Sequence, residues 1–256
     1  MMLLASVLRK KEMTEETQRL DVALVARGLF ASRAKAQEAI LAGLVNVNGK
    51  PAAKPSEQVA PSADIQAEAP YPYVSRGGVK LAEALNAFHY VPQDRICLDI
   101  GASTGGFTDV LLRRGAAKVY AIDVGDRQLH ETIAANPRVV SFEKTDARNL
   151  AATMFEAPPS LIVFDVSFIS LKLLLAPVLK LAAPQADMVA LIKPQFEAGP
   201  RYVRKGIVRD REVHAIVCDD IAREIERLGW KTTNVIVSPI DGGDGNREFL
   251  IGASRG

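Results

Sequence analysis

Cysteine, histidine and tryptophan are scarce in this chain: two, three and one in 256 residues. Two cysteines cannot build a disulfide framework, and Cys97 falls inside an apolar run, so a reduced, cytoplasmic protein is expected. His89, His130 and His214 are scattered without the Cys/His/Asp spacing of a metal site, and no metal is expected. Excess charge of one sign is missing too. With 24% charged residues and a net charge of +2, any affinity for nucleic acid must come from a local patch. Long hydrophobic runs are also absent. Met1–Leu8 is apolar but too short for a bilayer, and its basic residues, Arg9-Lys10-Lys11, follow it, the reverse of a secretory signal. Leu161–Leu181 is broken by Asp165, Lys172, Pro177 and Lys180, so no stable membrane association is expected. Residues 1–17 read as an N-terminal extension, with 1–12 as an upstream-start or disordered tail before the fresh start at Met13. The remaining composition, 48% hydrophobic, is that of a globular protein able to hold one large or two unequal domains.

The most informative stretch is Cys97-Leu-Asp99-Ile-Gly101-Ala102-Ser103-Thr-Gly105-Gly106-Phe107-Thr-Asp109. An apolar run meets a glycine-rich turn and then a helical pattern, giving a strand, loop and helix whose glycines let the backbone approach a ligand. A second apolar run, Lys118–Ile122, ends in Asp123, placed to take both hydroxyls of a ribose. Ser103 stands where a dinucleotide fingerprint needs its second glycine, which counts against NAD. S-adenosylmethionine, with a ribose and no phosphates, fits better.

Residues 18–66 read as a small module: a helix Leu20–Ala26 closed by Gly28, a second, Arg33–Ala42, capped by Ser32 and closed by Gly43, then Leu44–Asn48 entering an Asn-Gly hairpin turn. Arg19, Arg27, Arg33, Lys35, Lys50 and Lys54 face Asp21 and Glu38. Basic residues flanking tight turns in a module too small for a pocket favour RNA binding over a merely solvated face. The pieces Arg19-Leu20-Asp21, Ser32–Ala36 and Gly43–Gly49 resemble the S4 RNA-binding domain. That resemblance implies an RNA surface on the second helix and hairpin, carried by Arg19, Arg27, Ser32, Arg33, Lys35, Lys50 and Lys54.

Residues 67–79 read as a linker stiffened by prolines and loosened by Gly77-Gly78, and residues 80–256 as one alternating α/β domain. Strands are expected to end at Ile100 and Asp123, then to run Val139–Phe142, Leu161–Phe164, Met188–Ile192, Val235–Val237 and Phe249–Gly252, the last two antiparallel. Asp99, Asp123, Asp146, Asp165 and Lys193 all fall at strand ends, where an open parallel sheet binds its ligands. Any one of the carboxylates is explained as a helix N-cap; five ionisable groups at successive strand ends are not. Asp146 is best placed for an adenine amino group. Lys193, ending an apolar strand, needs a counter-charge, which Asp165 can supply.

The segments Asp99–Asp109, Ala121–Gly125, Phe164–Ser170, Lys193–Glu197, Lys205–Asp210 and Gly245–Phe249 resemble the TlyA (hemolysin A) family of S4-linked, FtsJ-like ribose 2′-O-methyltransferases. The resemblance implies a Rossmann-like class I methyltransferase, with a mostly parallel seven-stranded sheet, behind the α+β S4 domain. It further implies a catalytic tetrad of Lys80, Asp165, Lys193 and Glu248. The cofactor would lie against Asp99, Gly101, Ala102, Ser103, Gly105, Gly106, Phe107, Asp123, Val124, Asp146 and Asp165. The expected reaction is ribose 2′-O-methylation of cytidine in ribosomal RNA or a ribosomal subunit. The Asn/Asp-Pro-Pro-Tyr/Phe signature of amino-methylating enzymes is absent, since Asp165-Val-Ser-Phe168 holds that strand end. Two rivals are a membrane-active hemolysin, which needs a hydrophobic span or cationic amphipathic helix, and a non-catalytic RNA-binding assembly factor.

Overall fold

The structure, a computed structural model, describes residues 16–256. The expectation for residues 1–12 lies outside them. The chain divides into two compact units at Pro72/Tyr73.

In the small unit, β1 (Gln18–Arg19) leads into α1 (Leu20–Ala26), followed by α2 (Arg33–Leu41), β2 (Val45–Val47), β3 (Lys50–Pro51), β4 (Gln58–Val59) and β5 (Ile65–Ala67). Leu20, Ala23 and Leu24 share one face of α1 and bury against Ala36, Ala39 and Ile40 of α2, the three- and four-residue spacing of a helix seam. Ser32 Oγ caps α2 by accepting from the Lys35 N–H at 3.3 Å. Asn48 and Gly49 both take positive φ, 51° and 75°, as the tight turn joining β2 to β3 demands.

The large unit contains α3 (Gly77–Phe88), β6 (Ile96–Ile100), α4 (Gly106–Arg113), β7 (Lys118–Ile122), α5 (Glu131–Ala134) and β8 (Val139–Phe142). After these come β9 (Leu161–Phe164), α6 (Lys172–Leu179), β10 (Ala186–Ile192), α7 (Pro194–Glu197), α8 (Arg211–Arg227), β11 (Lys231–Val237) and β12 (Phe249–Arg255). Seven strands form one sheet in the order β11-β12-β10-β9-β6-β7-β8. All neighbours are parallel except β12, which runs antiparallel between β10 and β11. The near-continuous Val/Ile/Leu runs follow from burial on both faces. One face packs Leu81, Leu85 and Phe88 of α3 and Val110 and Leu111 of α4. The other packs Leu174 and Leu175 of α6 and Val217 and Ile221 of α8.

The segment 73–79 differs from the linker expected there. Tyr73 and Val74 pack on the α3–α4 side of the core, and the Val74 N–H donates to Asp109 Oδ2 at 2.9 Å. Gly77 and Gly78 form the first turn of α3. A Cβ on Gly78 would lie 2.4 Å from the Tyr73 ring, so this glycine serves close packing, not looseness.

Candidate active site

The chain enters the sheet at β6, winds out to β8, then reverses through β9. The switch point between β6 and β9 opens a crevice at the carboxyl ends of the strands. A cleft of about 550 Å³ occupies it. Of the residues expected to hold a cofactor, Gly101, Ser103, Asp123, Val124, Asp146 and Asp165 line this cleft. Gln128, Thr145, Arg148 and Phe168 line it as well, without having been expected to. Phe168 is 92% exposed with φ of 65°, its ring 5.2 Å from that of Phe196. An exposed aromatic held in a strained conformation is a signal that sequence alone does not carry.

The remaining expected cofactor residues do not line the cleft. Ala102 and Phe107 are buried, and Gly105 and Gly106 begin α4. The glycines have reasons besides ligand approach. Gly101 has φ of 83°, and a Cβ there would sit 2.3 Å from the Asp165 carbonyl oxygen. At Gly106 a Cβ would meet Ser75 Oγ at 2.1 Å.

Three carboxylates that look alike in the sequence do different things. Asp123 accepts from the Ser103 N–H through Oδ2 at 2.8 Å and from the Gly125 N–H through Oδ1 at 2.7 Å. Each oxygen keeps a second lone pair for a ligand. Asp146 caps a short 3-10 turn, accepting from the Arg148 N–H at 2.9 Å, and pairs with the Arg148 guanidinium at 2.5 Å. These bonds hold its carboxyl down at about 2. Each of its oxygens already takes two donors from Arg148, so an adenine amino group would have to displace that arginine. Asp99 is fully buried and does not line the cleft. Thr108 Oγ1 donates to its Oδ2 at 2.7 Å, while Oδ1 has no partner. Burial, and then the nearby Asp165 and Asp123 charges, push it up to about 7.

Strand register brings the expected tetrad to one edge. Asp165 follows β9, Lys193 follows β10, and Glu248 precedes Phe249, the partner of Ile192 in the adjacent antiparallel β12. Lys80, from the second turn of α3, reaches Glu248 Oε2 at 2.5 Å, with side-chain exposures of only 9% and 3%. Lys193 Nζ lies 2.7 Å from Asp165 Oδ1 and donates to Ser167 Oγ at 2.8 Å. Four ionisable groups thus form two ion pairs, and of the four Asp165 lines the cleft.

The FtsJ-like methyltransferase family matches residues 73–255, and the S4 domain matches residues 18–65. The chain belongs to the FtsJ-like methyltransferase family. Among curated relatives, the 16S/23S rRNA (cytidine-2′-O)-methyltransferase TlyA of Mycobacterium tuberculosis is 44% identical over 91% of this chain and 88% of its own. A protein named Hemolysin A from Brachyspira hyodysenteriae is 43% identical over 91% of this chain and 98% of its own. A solved structure from Streptococcus thermophilus, named as a hemolysin candidate, superposes with a TM-score of 0.75. It is 40% identical and covers 94% of this chain and 90% of its own. Among the described residues, no helix of this FtsJ-like protein is long and apolar enough to cross a membrane, and no cluster suits a metal ion.

In the S4 domain the seven residues expected to meet RNA divide. Arg27 is spent on structure: it donates to the carbonyls of Ala63 at 2.6 Å, Pro61 at 2.8 Å and Ala60 at 3.2 Å. Arg19 and Arg33 converge on the buried Asp21 at 2.9 and 3.0 Å, joined by Gln37 at 2.6 Å. This surround holds the Asp21 carboxyl well below the usual carboxylate range. Lys35 lies over the Tyr71 ring at 5.0 Å, and the Ser32 hydroxyl caps α2. Lys50 and Lys54 are exposed. The arginines therefore build the surface that the lysines decorate.

Proposed function

We propose that the protein transfers a methyl group from S-adenosylmethionine to the ribose 2′-hydroxyl of a cytidine in ribosomal RNA, working in the cytoplasm on rRNA or a ribosomal subunit. The observation that carries this reading is the pair of ion pairs at one sheet edge, Lys80–Glu248 and Asp165–Lys193, with Asp165 also lining the cleft at the topological switch point.

The cleft suits the donor on its own chemistry. Asp123 offers the ribose hydroxyls one free lone pair on each oxygen, with Ile122, Val124 and Ala147 as an apolar wall for adenine. The bound donor supplies an already activated methyl group. The protein's task is then to align the hydroxyl and handle its proton. Lys193 Nζ, fixed between Asp165 and Ser167, is the group that meets that hydroxyl. Lys80 and Glu248 neutralise each other in a buried setting and hold the α3 side of the edge. The exposed Phe168 ring offers the target base a stacking surface. The S4 domain grips structured RNA first.

Mapping ribose methylation across rRNA from cells with and without the protein tests this reading. One or more cytidines losing their 2′-O-methyl group supports it. An unchanged rRNA map, together with no methyl transfer to rRNA by purified protein, rejects it.

A further inference from the structure

We propose that a groove between α8 and strands β11 and β12 is a second nucleotide subsite, holding a single-stranded RNA residue that flanks the methylated one. This inference rests on the rRNA reading above and extends it.

The groove measures about 430 Å³. Phe249, on its wall, pairs in register with Ile192 on one side and Val237 on the other. The groove therefore opens at the same strand edge as Lys193 and Glu248. It lies on the α8 side of the sheet, whereas Glu248 turns to Lys80 on the α3 side.

Its lining has the chemistry of a nucleotide site. Arg211 and Arg247 are exposed at its rim, with no ion pair or hydrogen bond among the described residues. Two uncommitted guanidinia are suited to phosphates on either side of one nucleotide. No carboxylate lines the groove. Val235, Val237 and Phe249 give an apolar wall for the face of a base, and Val237 is 51% exposed. Cys218, also on the wall, is pushed up to about 12 by burial and stays a neutral thiol.

His214 supplies a polar point for the base edge. It is only 6% exposed, yet it lines the groove. Its Nε2 lies 2.9 Å from the Val208 carbonyl oxygen. A carbonyl only accepts, so Nε2 donates to it, and in the Nε2–H tautomer Nδ1 presents a lone pair. Nδ1 has no partner among the described residues. It is an acceptor for the exocyclic amino group or ring N–H of a base.

The site is also rigid. Asn246, 1% exposed, accepts from the Val208 N–H through Oδ1 at 3.1 Å and donates to the Gly206 carbonyl through Nδ2 at 2.8 Å. The His214 ring packs against Phe249 with centroids 5.4 Å apart. A duplex base is stacked and paired and cannot enter such a groove, so the occupant is unpaired.

The test uses the full-length enzyme and a fluorescein-labelled rRNA fragment that the wild type methylates. The double variant Arg211→Gln/Arg247→Gln should raise the Kd for that fragment by about tenfold and lower the salt slope of log Kd by about 1.4, the value for two single-strand phosphates. S-adenosylmethionine affinity, and kcat at saturating RNA, should stay within about twofold. Val237→Asp, an exposed substitution that places a carboxylate on the wall, should weaken RNA binding in the same way. Unchanged Kd and salt slope in both variants overturns the subsite while leaving the rRNA reading intact. Failure of the wild type to methylate any rRNA fragment overturns the reading on which it rests.

Discussion

Lys193 Nζ sits 2.7 Å from Asp165 Oδ1, yet its aligned hydrogen bond goes to Ser167 Oγ, and Asp165 Oδ1 has no hydrogen-bond partner. The lysine is thus held by charge on one side and by a hydroxyl on the other, with donor capacity left for a third group. An incoming 2′-hydroxyl fits that vacancy in the lysine's bonding. Lys193→Met keeps the stem's packing and removes the amine. It should cut the methylation rate at least about a hundredfold, with S-adenosylmethionine binding retained. In the wild type, a rate rising with pH marks a neutral Lys193 that accepts the proton; a flat profile marks a charged one that stabilises the developing alkoxide. Near-normal rRNA methylation by Lys193→Met would remove the case for this site.

Asp123 has both a structural and a binding share in the cleft, because each oxygen already holds a backbone amide of the surrounding loops. Asp123→Ala should weaken S-adenosylmethionine by about 1.5–3 kcal/mol, as for a charge-assisted hydrogen bond, and leave RNA affinity nearly unchanged. Calorimetry returning wild-type cofactor affinity would exclude Asp123 as the ribose acceptor.

Most of the sheet was legible because strands buried on both faces read as apolar runs. Val139–Phe142 and Leu161–Phe164 fall where the pattern places them. Strands β10, β11 and β12 run longer than expected. Lys231–Asn234 has the polar look of a loop yet pairs with β12 through a register shift at Thr232/Asn234. The insertion of β12 between β10 and β11 is a tertiary choice that no local pattern encodes. At the site, charge at strand ends was readable; the use of each charge was not. Asp99, Asp123 and Asp146 differ only in which donors reach them, and those donors come from Thr108, Ser103 and Gly125, and Arg148. Likewise, the uneven charge of residues 18–66 was visible, whereas the capture of Arg27 by three carbonyls depends on a turn folded back over 30 residues away.

Gly101 joins fold and site, because its missing Cβ makes room for the Asp165 carbonyl just past the end of the neighbouring strand β9. Gly101→Ala must carry a positive φ and press on backbone that cannot rotate aside. A loss of about 2–4 kcal/mol in stability is expected, together with reduced methylation as Asp165 shifts. A wild-type urea midpoint in this variant would show that the turn relaxes freely.

The S4 domain has its own hydrophobic core and the methyltransferase domain has two core clusters, one on each face of its sheet. Deletion of residues 1–72 should leave a protein that binds S-adenosylmethionine normally and methylates folded rRNA at below about a tenth of the full rate. RNA binding by the intact chain should weaken steeply with salt, since several phosphates are neutralised. Full activity from the truncated protein on folded rRNA would make the S4 domain irrelevant to substrate capture.

Asp99 makes the fold sensitive to pH in an unusual direction. An aspartate in the unfolded chain titrates near 3.9, whereas burial pushes Asp99 up to about 7 in the folded protein. Below about pH 4 both states hold the proton, and this group contributes no pH dependence. Between about 4 and 7 the unfolded chain has released it and the folded chain has not, so the folded state carries the extra proton and stability falls as pH rises. Above about 7 both are ionised, and the cost of a buried carboxylate with an unpartnered Oδ1 is fully present. Asp99→Asn cannot ionise and keeps an acceptor for Thr108. The wild type should lose on the order of a few kcal/mol between pH 5 and pH 8 through this group, and the variant should lose much less. Urea unfolding of both proteins at the two pH values measures the difference. Equal losses in wild type and variant would mean that Asp99 is already ionised in the folded protein at pH 5.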